Sequence, residues 1–319
     1  MTESNTTLPV GHTSLLAPRL ALGTGPLGNL YQTISEKQAV ETVQAAFNSG
    51  VNFFDTAPLY GAGQSERYLG TALRGIPCDQ YVLSTKVGRL VRPDGTIKFD
   101  DYDFTRDGVL RSFEASLERL KIERIDILHM HDPDNHYREV LDFAFPALAE
   151  LRRQGVIRAI GAGMNQWQML AEFARHADFD CFLLAGRYTL LEQGGQDLFS
   201  LCQAKKISIF LGGVYNSGIL ATGAVPGAKY NYVDAPPEIL ERVRRIEAIC
   251  VRHSVSLRSA ALQFPRTHPA VHTLIVGAQS AAEFNETLQA LRAPVPHELW
   301  AELRAEGLLN EAVPVPGRG

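Results

Sequence analysis

Asp55, Tyr60, Lys86 and His131 are the residues of this chain whose types and positions could do chemistry together. Each stands at or just beyond the C-terminal end of one of three successive apolar runs, FFDTAPLY, YVLSTK and IDILHMH. A tyrosine titrates near pH 10 and is a poor base at neutrality; a neighbouring ammonium favours the phenolate and is expected to lower that value. Lys86 is the candidate ammonium, and Asp55 is the carboxylate that would keep it charged in an apolar setting. The three form a unit for moving a proton, with His131 placed to orient a substrate oxygen. Taken singly, such residues are more often an ion pair, a packed ring or a core histidine. Their shared position at strand ends points to an enzyme.

The elements that would hold them are legible as eight β-rich runs, at 19–25, 51–57, 81–86, 125–131, 157–163, 181–186, 207–213 and 273–278. These are nearly continuous in apolar residues, the mark of strands covered on both faces. Helical patterns lie between them. Ser35 and Gln38 form a capping box, Ala39, Val40, Val43, Ala46 and Phe47 keep a 3.6-residue spacing, and Gly50 ends the helix. Val109, Leu110, Phe113, Leu117 and Leu120 repeat the pattern after Thr105, as do Val140, Leu141, Ala144, Leu148 and Leu151 before Gly155. Eight strand and helix units predict a closed (β/α)₈ TIM barrel, one domain over 1–319, whose C-terminal strand ends share a face. Long loops at 87–105, 132–138 and 214–236 would rim that face and select the substrate.

Two other sites suggest themselves. Gly23-Thr24-Gly25-Pro26-Leu27-Gly28 matches a dinucleotide fingerprint, with Asp55 at the end of the next strand; but Pro26, Leu30, Tyr31 and the cap at Ser35 read as loop where that fold needs a helix. His129, His131, Asp132, Asp134 and His136 invite a metal, yet the ends of strands five, six and eight offer Asn165, Arg187 and Gly277, so no metal is expected. With 45% hydrophobic residues, 21% charged and a net charge of -4, the chain has no basic stripe for nucleic acid. Cys78, Cys181, Cys202 and Cys250 form no CxxC pair and read as reduced thiols. No apolar run is long enough for a membrane span and the first residues are polar, so a cytoplasmic enzyme with a small-molecule substrate is expected. Oligomeric state is left open.

The segments GTG (23–25), FFDTAPLYG (53–61), SERYLGTAL (65–73), STK (84–86), SLERL and IDILHMHDP (116–133), GVIRAIGAGMN (155–165), RYTLL (187–191), NSGIL (216–220) and IVGAQSAAEFNET (275–287) resemble the aldo-keto reductase family over nearly the whole length. The resemblance implies that Asp55, Tyr60, Lys86 and His131 are the catalytic tetrad and that a nicotinamide dinucleotide lies extended across the mouth. It implies cofactor contacts at Gly23, Thr24, Asp55, Asn165, Gly212, Gly213, Val214, Asn216, Ser217, Gly277, Gln279, Ser280, Glu283 and Glu286. Substrate contacts would come from Tyr60, His131, Asp132, Trp167 and Tyr215, with His136 nearby.

Some positions depart from the family pattern. Gly163-Met164-Asn165 stands where many members have Ser-Asn, Ala185 where a glutamine is usual, and Gly212 where a tyrosine often stacks on the nicotinamide. Glu283 stands where NADP-dependent members carry a basic residue, which predicts NAD over NADP; Ser280 and Glu283 also spell a helix cap. LAGRYTLL and GVYNSGIL look like the sugar-dehydrogenase branch, which includes enzymes for D-threo-aldoses such as L-fucose, for L-galactose and for pyridoxal. That likeness implies oxidation of a cyclic hemiacetal to a lactone. Pyridoxal oxidation, general aldehyde reduction with NADPH, and a silent nicotinamide sensor are the alternatives.

Overall fold

Runs of apolar residues whose alternate side chains face opposite ways can be buried on both faces only if something packs on each. The computed structural model, which describes residues 6–29, 32–92, 94–98 and 100–317, shows how this is met. Leu30 and Tyr31, expected in a loop, lie outside those residues, as do Pro93 and Phe99 of the long loop at 87–105.

A short antiparallel hairpin, β1 (Thr7–Pro9) and β2 (Leu16–Pro18), comes first. Eight parallel strands follow: β3 (Leu20–Gly23), β4 (Phe53–Asp55), β5 (Val82–Val87), β6 (Ile127–His131), β7 (Ala159–Met164), β8 (Cys181–Ala185), β9 (Ser208–Gly212) and β12 (Val271–Gly277). They pair in chain order and β12 returns to β3, closing the barrel. The main outer helices are α1 (Glu36–Asn48), α2 (Gln64–Leu73), α3 (Arg106–Leu120), α5 (Phe145–Arg153), α6 (Trp167–His176), α7 (Gln196–Lys205), α9 (Pro237–Arg252), α10 (Leu257–Gln263), α11 (Ala281–Arg292) and α12 (His297–Ala305). The (β/α)₈ expectation is therefore met.

The core divides as strand alternation requires. Phe54, Leu83, Leu128 and Ile160 pack outward among the helices, whereas Phe53, Val82, Ile127, Ala159, Cys181 and Phe210 fill the interior. Val10, Leu15 and Ala17 of the hairpin join that interior cluster and plug the end opposite the site. The Gly11 N–H donates to Ser208 Oγ at 2.9 Å there.

Some local expectations change. Ser35 does cap α1 through the Gln38 N–H, but the Gln38 side chain donates to the Gln279 carbonyl instead of completing the box. Val140–Ala144 forms a turn of π-helix between α4 (Tyr137–Glu139) and α5. The segment 214–236 is organised, carrying α8 (Ile219–Thr222) and a second hairpin of β10 (Lys229–Tyr230) and β11 (Val233–Asp234). All four cysteines are free thiols. Among the described residues no helix is long and apolar enough to cross a membrane.

Candidate active site

Interior-facing positions at the C-terminal ends of the strands form a ring in two halves. On β4, β5 and β6 they are Asp55, Lys86 and His131; on β7, β8, β9, β12 and β3 they are Gly163, Ala185, Gly212, Gly277 and Gly23. One half carries functional groups and the other leaves room. A cavity of about 360 Å³ opens over the small half, lined by Gly23, Ala185, Gly212, Gly277 and Tyr60 among others.

Lys86 Nζ donates to Asp55 Oδ1 at 2.7 Å and to the Thr56 carbonyl at 2.8 Å. Asp55 accepts a further 2.7 Å bond from Ser84 Oγ, so both carboxylate oxygens are engaged. An ammonium has three donors, and the remaining direction faces Tyr60, whose ring centroid lies 4.8 Å from the nitrogen. Burial alone would lower the Lys86 pKa, but Asp55 and Tyr60 more than offset it, so the net displacement is upward and the ammonium stays charged.

Tyr60 behaves differently from the expectation. Burial pushes its phenol up to about 12; Lys86 pulls it down, Asp55 adds an opposing upward push, and burial wins. The lysine therefore limits the rise without producing the lowered value expected from a neighbouring ammonium. His131 meets Tyr60 edge to face with centroids 5.9 Å apart. Burial, then the nearby Lys86 and Arg89 charges, hold its pKa well below the ordinary value, so the imidazole is neutral near pH 7. His129, one interior position deeper, is driven down to about 3 by burial and Lys86, and neither ring nitrogen has a hydrogen-bond partner.

Backbone geometry brings Tyr60 to this point. Gly61, Ala62 and Gly63 are left-handed at φ 62°, 53° and 82°, turning the chain from the strand into α2. Gly28 sits against the Tyr60 backbone so closely that a Cβ would come within 2.6 Å of the Tyr60 carbonyl carbon. The last glycine of the apparent dinucleotide fingerprint thus seats the tyrosine loop. Thr24, also part of that motif, is buried, with its hydroxyl donating to the Asp55 carbonyl and accepting from Ser65.

Of the expected cofactor contacts, Gly23, Asp55, Gly212, Gly213, Val214, Ser217, Gly277, Gln279 and Glu283 line the cavity. Thr24, Asn165, Asn216 and Ser280 do not: Asn216 Nδ2 donates to the Gly186 carbonyl, and Ser280 Oγ caps α11 through the Glu283 N–H. Glu283 Oε2 accepts the Gln279 N–H at 2.8 Å, so the capping role is present at a residue that also faces the groove. Glu286 lines an adjoining cleft and pairs with Arg258 at 2.9 Å. Trp167, an expected substrate contact, packs against Gly194 and Gly195 and is not part of the cavity lining. Tyr215 lines the cavity, whereas His131 and Asp132 are not part of its lining; the Asp132 carboxylate lies 3.6 Å from Arg89 and 3.8 Å from His131 Nε2.

Two residues escaped the sequence reading. Arg258 lines both the cavity and the adjoining cleft, and it is the one charged residue of α10, a signal that was available. Tyr232, at the tip of the β10–β11 hairpin, lines the cavity with Tyr60. Gly213, Asn216, Ser217 and Gly218 are all left-handed, a run of the kind that turns backbone amides toward an anion. Among the described residues no group of three or more His, Cys, Asp and Glu side chains could hold a metal.

A parallel barrel with a buried carboxylate, ammonium and phenol beside a glycine-lined groove defines a class of oxidoreductase. The chain belongs to the aldo/keto reductase family, whose model matches residues 19–306. It is 37% identical to a pyridoxal 4-dehydrogenase of Microbacterium luteolum, covering 94% of this chain and 97% of that protein. It is 38% identical to a D-threo-aldose 1-dehydrogenase of a Pseudomonas species, over 92% and 95% of the two chains. The aldo-keto reductase AKR11C1 of Bacillus halodurans superposes with a TM-score of 0.78 at 24% identity, covering 97% of this chain and 98% of that one, and attests the shared fold. Members of the family use NAD(P)H.

Proposed function

We propose that this enzyme oxidises the anomeric hydroxyl of a cyclic hemiacetal, an aldose of the L-fucose or D-threo type, to a lactone, with NAD as the preferred acceptor. The observation that carries the proposal is the buried Asp55–Lys86 pair facing the Tyr60 phenol at the wall of the cavity. The bound cofactor supplies the hydride acceptor. Tyr60 takes the hydroxyl proton as the C–H bond gives up its hydride, and the Lys86 charge stabilises the phenolate form needed for that transfer. Asp55 keeps Lys86 protonated. Neutral His131 orients the reacting oxygen by a hydrogen bond.

The residues of the groove fit an extended dinucleotide. The left-handed residues Gly213, Asn216, Ser217 and Gly218 suit its phosphates, Arg258 supplies a cation beside them, and Gly212 leaves space where a Cβ would come within 3.3 Å of Leu183. Glu283, carboxylate already at the groove, favours a free ribose hydroxyl over a 2′-phosphate. A second reading, oxidation of an aromatic hemiacetal such as pyridoxal, is favoured by the likeness to the Microbacterium protein.

A spectrophotometric panel of L-fucose, L-galactose, D-arabinose and pyridoxal with NAD and NADP, and an open-chain aldehyde with the reduced cofactors, tests both readings. Turnover of an aldose with NAD is expected, and Tyr60→Phe should lower it by about 10²–10⁴-fold while cofactor affinity, read by NADH fluorescence, is retained. Activity confined to pyridoxal selects the second reading. Normal turnover by Tyr60→Phe refutes the assigned base.

A further inference from the structure

Asn231 and Tyr232 join β10 to β11, and both are left-handed, at φ 49° and 68°. Two-residue turns of this kind ordinarily take Asn followed by Gly, because a bulky side chain is strained at positive φ. Here the second position holds a tyrosine. The residue as a whole is 60% exposed, so core packing does not explain the choice. It lines the cavity together with Tyr60, and burial of its hydroxyl, then the Asp132 charge, push its pKa up against the opposing pull of Arg187.

The turn is bolted in place from two sides. The Tyr232 N–H donates to Ser217 Oγ at 3.0 Å, on the segment that lines the groove. Asn231 Oδ1 accepts from Arg187 Nη1 at 3.0 Å, and Arg187 is itself paired with Glu192 at 2.9 Å. Glu192 also accepts the Tyr230 hydroxyl. A strained turn, fixed by its backbone and by both neighbouring loops, therefore carries an aromatic ring to the mouth of the site. Strain held by surrounding structure in this way is characteristic of functional positions.

We propose that Tyr232 is a specificity-determining substrate contact, the outer wall of a compartment whose inner wall is Tyr60, and that it selects ring-shaped substrates over open-chain aldehydes by stacking on their apolar face. Asp132, whose carboxylate lies 3.8 Å from His131 Nε2, accepts hydrogen bonds from ring hydroxyls. This inference rests on the hemiacetal reading above and adds to it the residue that discriminates.

The test compares kcat/KM for the best pyranose of the panel, with NAD, against that for methylglyoxal with NADH, in the wild type and in Tyr232→Ala, Tyr232→Phe and Tyr232→Gly. Tyr232→Ala should lower the ratio at least tenfold, chiefly by raising the pyranose KM, whereas Tyr232→Phe keeps it within threefold. NADH affinity, read by fluorescence, should stay within twofold, because the backbone bond to Ser217 survives. Tyr232→Gly should lose the ratio like alanine yet gain in thermal stability, which separates lost stacking from a damaged fold. A ratio in Tyr232→Ala within twofold of the wild type overturns this inference alone. A wild type inert toward every cyclic hemiacetal overturns the hemiacetal reading, and this inference with it.

Discussion

Tyr60 in the free enzyme is held far from neutrality by its own burial, and the proposed chemistry depends on overcoming that. With a phenol raised to about 12, the fraction ionised between pH 7 and 9 grows about tenfold per pH unit. For oxidation, in which the phenolate is the working form, kcat/KM should therefore climb with pH across this range. His131, held below its ordinary value, is neutral throughout and should add no break near pH 6.5. A profile flat from pH 7 to 9, or one with a break near 6.5, contradicts these assignments. Lys86→Met should lower turnover by about 10²-fold or more. It also strands a buried Asp55, at about 3–5 kcal/mol of stability, so Asp55→Asn/Lys86→Met, which relieves that charge, should recover folding without recovering activity.

At the scale of elements, the loops after β3 and β4 act as one piece. Gly28 and Gly61 lie back to back, and a Cβ on Gly28 would meet the Tyr60 carbonyl carbon at 2.6 Å. Gly28→Ala should therefore cost about 1–3 kcal/mol and, by moving Tyr60, lower kcat by about 10²-fold. Gly75→Ala is the control: it also costs stability, since Gly75 has φ 83°, but nothing lies within 4 Å of its Cβ and turnover should be unchanged. Equal loss of kcat in the two variants would show that Gly28 acts through stability alone. The barrel strands were legible because continuous apolar runs such as CFLLA leave few other homes for their side chains. The two hairpins were not, since TLP, LAP, KY and VD are too short to show a period. Tyr60, Lys86, Asp55 and His131 could be read as a group because strand ends declare a common face. Tyr232 could not, because its place over the mouth depends on the bond of its neighbour Asn231 to Arg187 and on its own bond to Ser217, across 44 and 15 residues of the chain.

Viewed whole, the barrel is closed at one end and worked at the other. The β1–β2 hairpin inserts Val10 and Leu15 into the interior, and His272 Nε2 lies 3.0 Å from the Leu8 carbonyl. Burying a side chain of that size contributes about 1.5–3 kcal/mol, so a chain beginning at Pro18 should melt roughly 5–15 °C lower. Its affinity for NADH, measured by fluorescence below the new melting point, should match that of the intact chain, and a parallel loss of binding would mean that the two ends are coupled. The sparse half of the upper ring, Gly163, Ala185, Gly212, Gly277 and Gly23, has a consequence for how such a molecule diversifies. Those positions carry almost no side chain, so they supply room and leave directional recognition to the loops around them. Novel selectivity can then be acquired by rewriting surface inserts, while the parts that secure the scaffold and shuttle protons are inherited untouched.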